Sequence, residues 1–136
     1  MSGLSFLDTN VLVYAYDSNE PRKQVIAQGL LKRAVLGELM ISTQVLAEFA
    51  VTFLHKAAKK RPPSEVKKLL DVLAPIRLIV PDAEIVRRAV EAREAYGLHF
   101  YDGMIVAAAE RGGCEQILSE DLNAQQYFGI EVTNPF

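Results

Sequence analysis

Leu4-Ser5-Phe6-Leu7-Asp8-Thr9-Asn10 runs a mostly apolar segment straight into a carboxylate, followed by two more side chains that favour helix starts. Val11-Leu12-Val13-Tyr14-Ala15-Tyr16 then resumes the apolar pattern. The stretch reads as a buried strand, a tight turn and a helix start. Asp8 therefore stands at the carboxyl end of a strand, where open α/β sheets bind ligands. The expectation that follows is that other segments bring further carboxylates to the same edge.

Working outward, the chain alternates in the same way. After the turn cluster Asp17-Ser18-Asn19, Pro21 opens a helix to about Leu36, with Val25, Ile26, Leu30 and Leu31 at helical spacing. Leu39-Met40-Ile41 is a short buried strand, and Ser42 or Thr43 caps a helix reaching about Lys59. Beyond the breaker Pro62-Pro63, Ser64 and Glu65 start a helix to about Leu73, and Arg77 to Val80 is a strand closed by Pro81. Asp82 caps a helix ending at Tyr96-Gly97, and Tyr101 or Asp102 opens another that ends at Gly112-Gly113. Gln116 to Ser119 and Ile130 to Thr133 are the last strands. Strands alternating with helices predict a single α/β domain over residues 1–136: three layers, α/β/α, around a short, mostly parallel sheet.

At 136 residues the chain is long enough for a real core, and half of it is apolar. No stretch approaches the ~18 uncharged apolar residues of a membrane span. The start lacks a basic segment and meets Asp8 at once, so no signal peptide and a cytoplasmic location are expected. The single cysteine, Cys114, has no internal disulfide partner and suits a reducing compartment. A net charge of −2 excludes a broadly basic nucleic-acid coat, though not a local basic surface.

Four acids share the predicted ligand-binding edge. Asp8 and Asp121 follow strands; Glu48 and Asp102 lie near helix N-termini. Glu48 falls off the apolar stripe of its helix (Leu46, Phe49, Ala50, Phe53), with Gln44 and Thr52 one turn either side. Asp102 shares a helix face with Ile105, Val106 and Ala109, so it crowns a core-facing stripe, where a carboxylate is costly unless paired, hydrogen-bonded or bound to a metal. Each has a plainer reading too: a solvated surface residue for Glu48, a helix cap for Asp8 and Asp102, a turn residue for Asp121. Taken together, four carboxylates without matching cations repel one another and raise one another's pKa. A hard divalent cation, Mg²⁺ or Mn²⁺, answers that repulsion. Such ions serve phosphodiester hydrolysis, which needs no His or Cys nucleophile.

These residues resemble a known family. Leu7-Asp8-Thr9-Asn10-Val11-Leu12, Ile41-Ser42-Thr43-Gln44-Val45-Leu46-Ala47-Glu48, Phe100-Tyr101-Asp102 with Ile105-Val106-Ala107-Ala108, and Leu118-Ser119-Glu120-Asp121-Leu122-Asn123 are similar to the motifs of PIN-domain ribonucleases, above all the VapC toxins of type II toxin–antitoxin pairs. The tail Val132-Thr133-Asn134-Pro135-Phe136 is similar as well. The resemblance implies a Mg²⁺- or Mn²⁺-dependent acidic site that cuts RNA. It makes Asp8, Glu48, Asp102 and Asp121 the catalytic acids and metal ligands, with Thr9, Asn10, Ser42, Ser119 and Asn123 as hydrogen-bonding neighbours. It also implies a homodimer and a cognate antitoxin that covers the site. Two positions depart from the pattern. Gly103 stands where relatives often have alanine, which loosens a first helical turn by roughly 1 kcal/mol of propensity. Ala124-Gln125-Gln126 stands where relatives often have a Gly-Gln pair.

Lys56, Lys59, Lys60 and Arg61, with His55, Lys67 and Lys68 nearby, form a basic corner around Pro62-Pro63. It reads either as an RNA guide or as a solvated helix end with lysines suited to its C-terminus. His99 reads as a local hydrogen-bonding residue, and Tyr14, Tyr16, Phe49 and Phe53 read as core. The face holding Val86 and Val90 is either core or dimer interface. Two other functions fit the edge of acids: a PIN-like RNA- or protein-binding module without activity, and a Mg-binding receiver-type signalling domain. The receiver lacks its paired acids after the first strand and its late lysine; a phosphatase with an aspartyl nucleophile would want Asp where Asn10 stands.

Overall fold

The computed structural model describes residues 3–56 and 58–136. Met1, Ser2 and Ala57, which the single-domain reading spans, lie outside the described residues. Strand β1 (Leu4–Leu7) leads through Asp8 into helix α1 (Thr9–Tyr14), then come α2 (Pro21–Val35), β2 (Leu39–Ser42), α3 (Thr43–His55) and α4 (Pro63–Leu73). The chain continues as β3 (Arg77–Ile79), α5 (Ala83–Tyr96), α6 (Phe100–Arg111), β4 (Cys114–Leu118), β5 (Gln126–Tyr127) and β6 (Ile130–Thr133).

The sheet order is β3-β2-β1-β4-β6-β5, and every pairing is parallel except β5 with β6. β1 lies between β2 and β4: the chain steps outward from β1 through β2 to β3 on one side, then returns to lay β4 on the other side of β1. That reversal opens a crevice at the carboxyl ends of β1 and β4. Asp8 N donates to Leu118 O at 3.0 Å, which carries the β1–β4 ladder one residue past the strand and fixes the Asp8 backbone. Phe6, Leu7, Ile41, Phe49, Ile105, Ile117 and Tyr127 are among the fully buried side chains.

Differences from the sequence reading have local causes. α1 starts at Thr9 and stops at Tyr14 because Ala15, Tyr16 and Asp17 bond three residues back instead of four. α3 ends at His55, not near Lys59: Lys56 is extended, and Arg61 N reaches back to Phe53 O at 2.7 Å. The buried positions of α3 are Val45, Phe49, Thr52 and Phe53, with Leu46 and Ala50 only partly covered. On α2, Ala27, Leu30 and Ala34 face the core, while Val25 is 71% exposed. β4 runs from Cys114 to Leu118, two residues before and one short of the expected span, and the two-residue β5 was not foreseen. Val86 and Val90 lie outside the core, where Ile85, Ala89 and Ala92 pack instead.

α6 starts at Phe100 because His99, not Asp102, caps it: Tyr101 N donates to His99 Nδ1 at 3.3 Å. Asp102 is thereby free of the capping role. Gly103 is explained by packing, not by looseness. A Cβ there would stand 2.8 Å from Ala89 O, so glycine is what lets α5 and α6 approach so closely.

Candidate functional site

The cleft at the strand ends has a volume of about 870 Å³, and Asp8, Glu48, Asp102 and Asp121 all line it. They arrive from four places: the end of β1, the second turn of α3, the first turn of α6 and the loop after β4. Asp8 is nearly enclosed, with Oδ1 accepting from Thr9 N at 2.8 Å and Oδ2 accepting from Ser119 Oγ at 2.8 Å and Asn10 Nδ2 at 3.3 Å. Ser119 Oγ in turn accepts from the N–H groups of Asp121 and Leu122 at 3.2 and 3.1 Å, which shapes the loop that carries Asp121.

Asn10 is the hub. Its Nδ2 donates to Asp8 and, at 3.2 Å, to Asp121 Oδ2, while its Oδ1 accepts from Glu120 N at 3.1 Å. Thr9 Oγ1 donates to Glu48 Oε1 at 2.7 Å, and Gln44 Nε2 donates to Glu48 Oε2 at 3.3 Å. The same Gln44 amide reaches Tyr101 O at 3.0 Å, tying α3 to the start of α6. Two expected neighbours stand apart. Ser42 is buried and caps α3 through Val45 N, and Asn123 is exposed with its carbonyl on Gln125 N.

The electrostatics follow from this crowding. Burial, with Glu48 and Asp102 adding repulsion, pushes the Asp8 carboxyl up from 3.8 to about 6 against the opposing bonds from Ser119 and Thr9. Asp102 is also raised, by its own burial and by Glu48 and Asp121, with His99 pulling the other way. Among the described residues, no group of three or more His, Cys, Asp or Glu side chains is placed to hold a metal ion as it stands. The O–H and N–H donors named above occupy carboxylate oxygens of Asp8, Glu48 and Asp121.

The sequence reading missed a second cluster. Tyr14, expected in the core, lines the cleft, and its OH donates to Glu120 Oε2 at 2.6 Å. Lys23 donates to and ion-pairs with Glu120, which is held below the usual carboxylate range by Lys23 and then Tyr14. Tyr14 lies four residues beyond Asn10 and so on its helix face, a legible signal; Lys23 gave none, since its partner is 97 residues away. The basic corner divides. Lys56 and Lys59 line the cleft, and Lys59 pairs with Asp17 at 3.0 Å. Arg61 stacks over Phe53, 5.1 Å from the ring centroid, and neither it nor Lys60 lines the cleft.

The PIN domain family matches residues 5–128, nearly the whole chain and every element that builds the cleft. The chain belongs to the PIN domain family. Membership sets aside the receiver-type reading of the acidic edge. No curated protein matches the chain in sequence. Solved structures share the PIN fold. A toxin–antitoxin complex from Klebsiella pneumoniae superposes with a TM-score of 0.71 at 22% identity, covering 97% of this chain and 98% of that one. VapBC2 from Rickettsia felis, bound to a promoter DNA fragment, gives 0.67 at 20% identity over 96% and 98%. VapC20 of Mycobacterium tuberculosis, described as a Sarcin-Ricin loop cleaving toxin, gives 0.69 at 15% identity over 93% and 98%. No helix among the described residues is long and apolar enough to cross a membrane.

Proposed function

We propose that this PIN-domain chain is a divalent-metal-dependent endoribonuclease, the toxin of a toxin–antitoxin pair, working as one domain in the cytoplasm. The observation that carries the reading is that four separate elements deliver Asp8, Glu48, Asp102 and Asp121 to one cleft. The donor set fits a hard cation: it is all oxygen and anionic, and Asp8 carries the repulsion that a positive charge relieves. Asp8 and Asp102 would hold Mg²⁺ or Mn²⁺, with Glu48 and Asp121 completing the coordination. When bound, such an ion stabilises charge on the phosphodiester and activates the attacking water.

The chain's own residues do the positioning. Ser119 and Asn10 hold Asp8, Thr9 and Gln44 hold Glu48, and Asn10 holds Asp121, so three of the four acids share a frame of neutral donors. Lys56 and Lys59 offer positive charge to a phosphate backbone at the cleft. The toxin–antitoxin neighbours support an antitoxin partner, and the family resemblance adds a homodimer to the same proposal.

The test is cleavage of single-stranded RNA by the purified chain with Mg²⁺ or Mn²⁺, with EDTA, and by Asp8→Asn. Cutting that needs metal and is abolished by the substitution is the expected result. RNA binding without cutting under either metal would return the binding-module reading, and an Asp8→Asn variant as fast as the parent would overturn the mechanism.

A further inference from the structure

Tyr101 is the large aromatic that the acidic centre does not use. It immediately precedes Asp102, lines the same cleft and is 55% exposed. Its backbone is held at both ends: Tyr101 N donates to His99 Nδ1 at 3.3 Å, and Tyr101 O accepts from Gln44 Nε2 at 3.0 Å. The His99 ring lies 5.9 Å away and inclined by only 30°, so the two rings present a tilted stack instead of burying one another. α3 adds exposed Ala47 and Val51 to the same cleft, which gives it apolar surface beside the carboxylates. Lys56 and Lys59 complete the lining with positive charge.

Resting on the ribonuclease reading, we propose that Tyr101 is a stacking platform for an unpaired base next to the cleaved phosphate. An exposed aromatic face whose backbone is already fixed loses little freedom when a base lies on it. Bases of single-stranded RNA stack on such faces whatever their sequence, whereas a duplex keeps its bases inside. Apolar surface, acids and lysines then correspond to the three parts of a nucleotide strand: base, reacting phosphate and flanking backbone. Tyr101 contacts substrate in this scheme without taking part in bond breaking.

The experiment compares the parent with Tyr101→Leu, which keeps apolar bulk but removes the π face, and Tyr101→Phe, which keeps the ring. KM and kcat are measured on a single-stranded RNA with Mn²⁺. In an Asp8→Asn background, binding of the same RNA carrying 2-aminopurine beside the cut site is followed by fluorescence. The expected result is a KM and a Kd raised about tenfold or more in Tyr101→Leu, with the 2-aminopurine quench lost, kcat little changed, and Tyr101→Phe within about twofold of the parent. Parent-like KM and quench in Tyr101→Leu overturn the proposal. Equal losses in Leu and Phe overturn it as well, because they would assign the effect to the hydroxyl. A parent that neither binds nor cuts RNA overturns the ribonuclease reading itself, a distinguishable failure.

Discussion

Thr9 Oγ1 lies 2.7 Å from Glu48 Oε1, a hydrogen bond between residues 39 positions apart that joins the end of β1 to α3. A hydroxyl that donates to a carboxylate holds it in one orientation without neutralising it. Thr9→Val keeps the β-branched shape and removes the donor. It is expected to lower kcat/KM for RNA by about 10- to 100-fold, from the typical strength of a bond to a charged group. Thr9→Ser, which keeps the hydroxyl, retains most activity.

Asp8 makes stability pH-dependent. Its carboxyl is raised from 3.8 to about 6, so between those values the folded chain holds a proton that the unfolded chain has released. Stability contributed by the protonated form is full below pH 4 and is lost as pH rises through 6. In EDTA, Asp8→Asn is therefore expected to gain on the parent by on the order of 1–3 kcal/mol at pH 7.5. The advantage vanishes near pH 4. Urea unfolding of both proteins across this range measures it, and an Asn variant less stable than the parent at pH 7.5 contradicts it.

Metal acts in the opposite direction. A cation that binds the folded acids adds RT ln(1 + [L]/Kd), about 2.7 kcal/mol at a hundredfold excess over Kd. Mn²⁺ should raise the Tm of the parent, EDTA should reverse the rise, and Asp102→Asn should remove most of it. Calorimetry with and without metal provides the reading.

Gly103 tests the packing of α5 on α6. Alanine gains roughly 1 kcal/mol of helix propensity, but its Cβ would meet the Ala89 backbone at 2.8 Å. Backbone on both sides leaves no flexible group to yield, so the overpacking cost, about 1–3 kcal/mol, is expected to win. Chemical denaturation of Gly103→Ala should show a net loss of stability.

Lys59 and Arg61 separate guidance from support. Lys59 lines the cleft and is paired there with Asp17; a bound phosphate would replace that partner, so Lys59→Ala should reduce the salt slope of RNA binding by up to about 0.7, the value for one single-strand phosphate contact. Arg61 stacks on Phe53, so Arg61→Ala should leave the slope alone and cost about 0.5–1 kcal/mol of stability. Binding titrations at several salt concentrations, beside melting curves, distinguish the two.

The order of strands and helices apart from β5, the position of Asp8 at a strand end and the gathering of acids at one edge were legible in the chain itself. Strand one is mostly apolar and runs straight into Asp8, and Asp8, Ser42 and Asp82 announce helix starts through side chains that satisfy nearby N–H groups. Such signals are local, acting over a few residues, so the sequence alone contains them. What it did not contain were relations set by distant neighbours. Arg61 ending α3 against Phe53, Glu120 pairing with Lys23, and Gly103 answering the backbone of Ala89 each depend on the meeting of separate segments. The residues named the chemistry of the site because acids, amides and hydroxyls carry it wherever they stand. Tertiary packing alone decided which of them meet, since only close approach turns a side chain into a hydrogen-bond partner, a raised pKa or a steric limit.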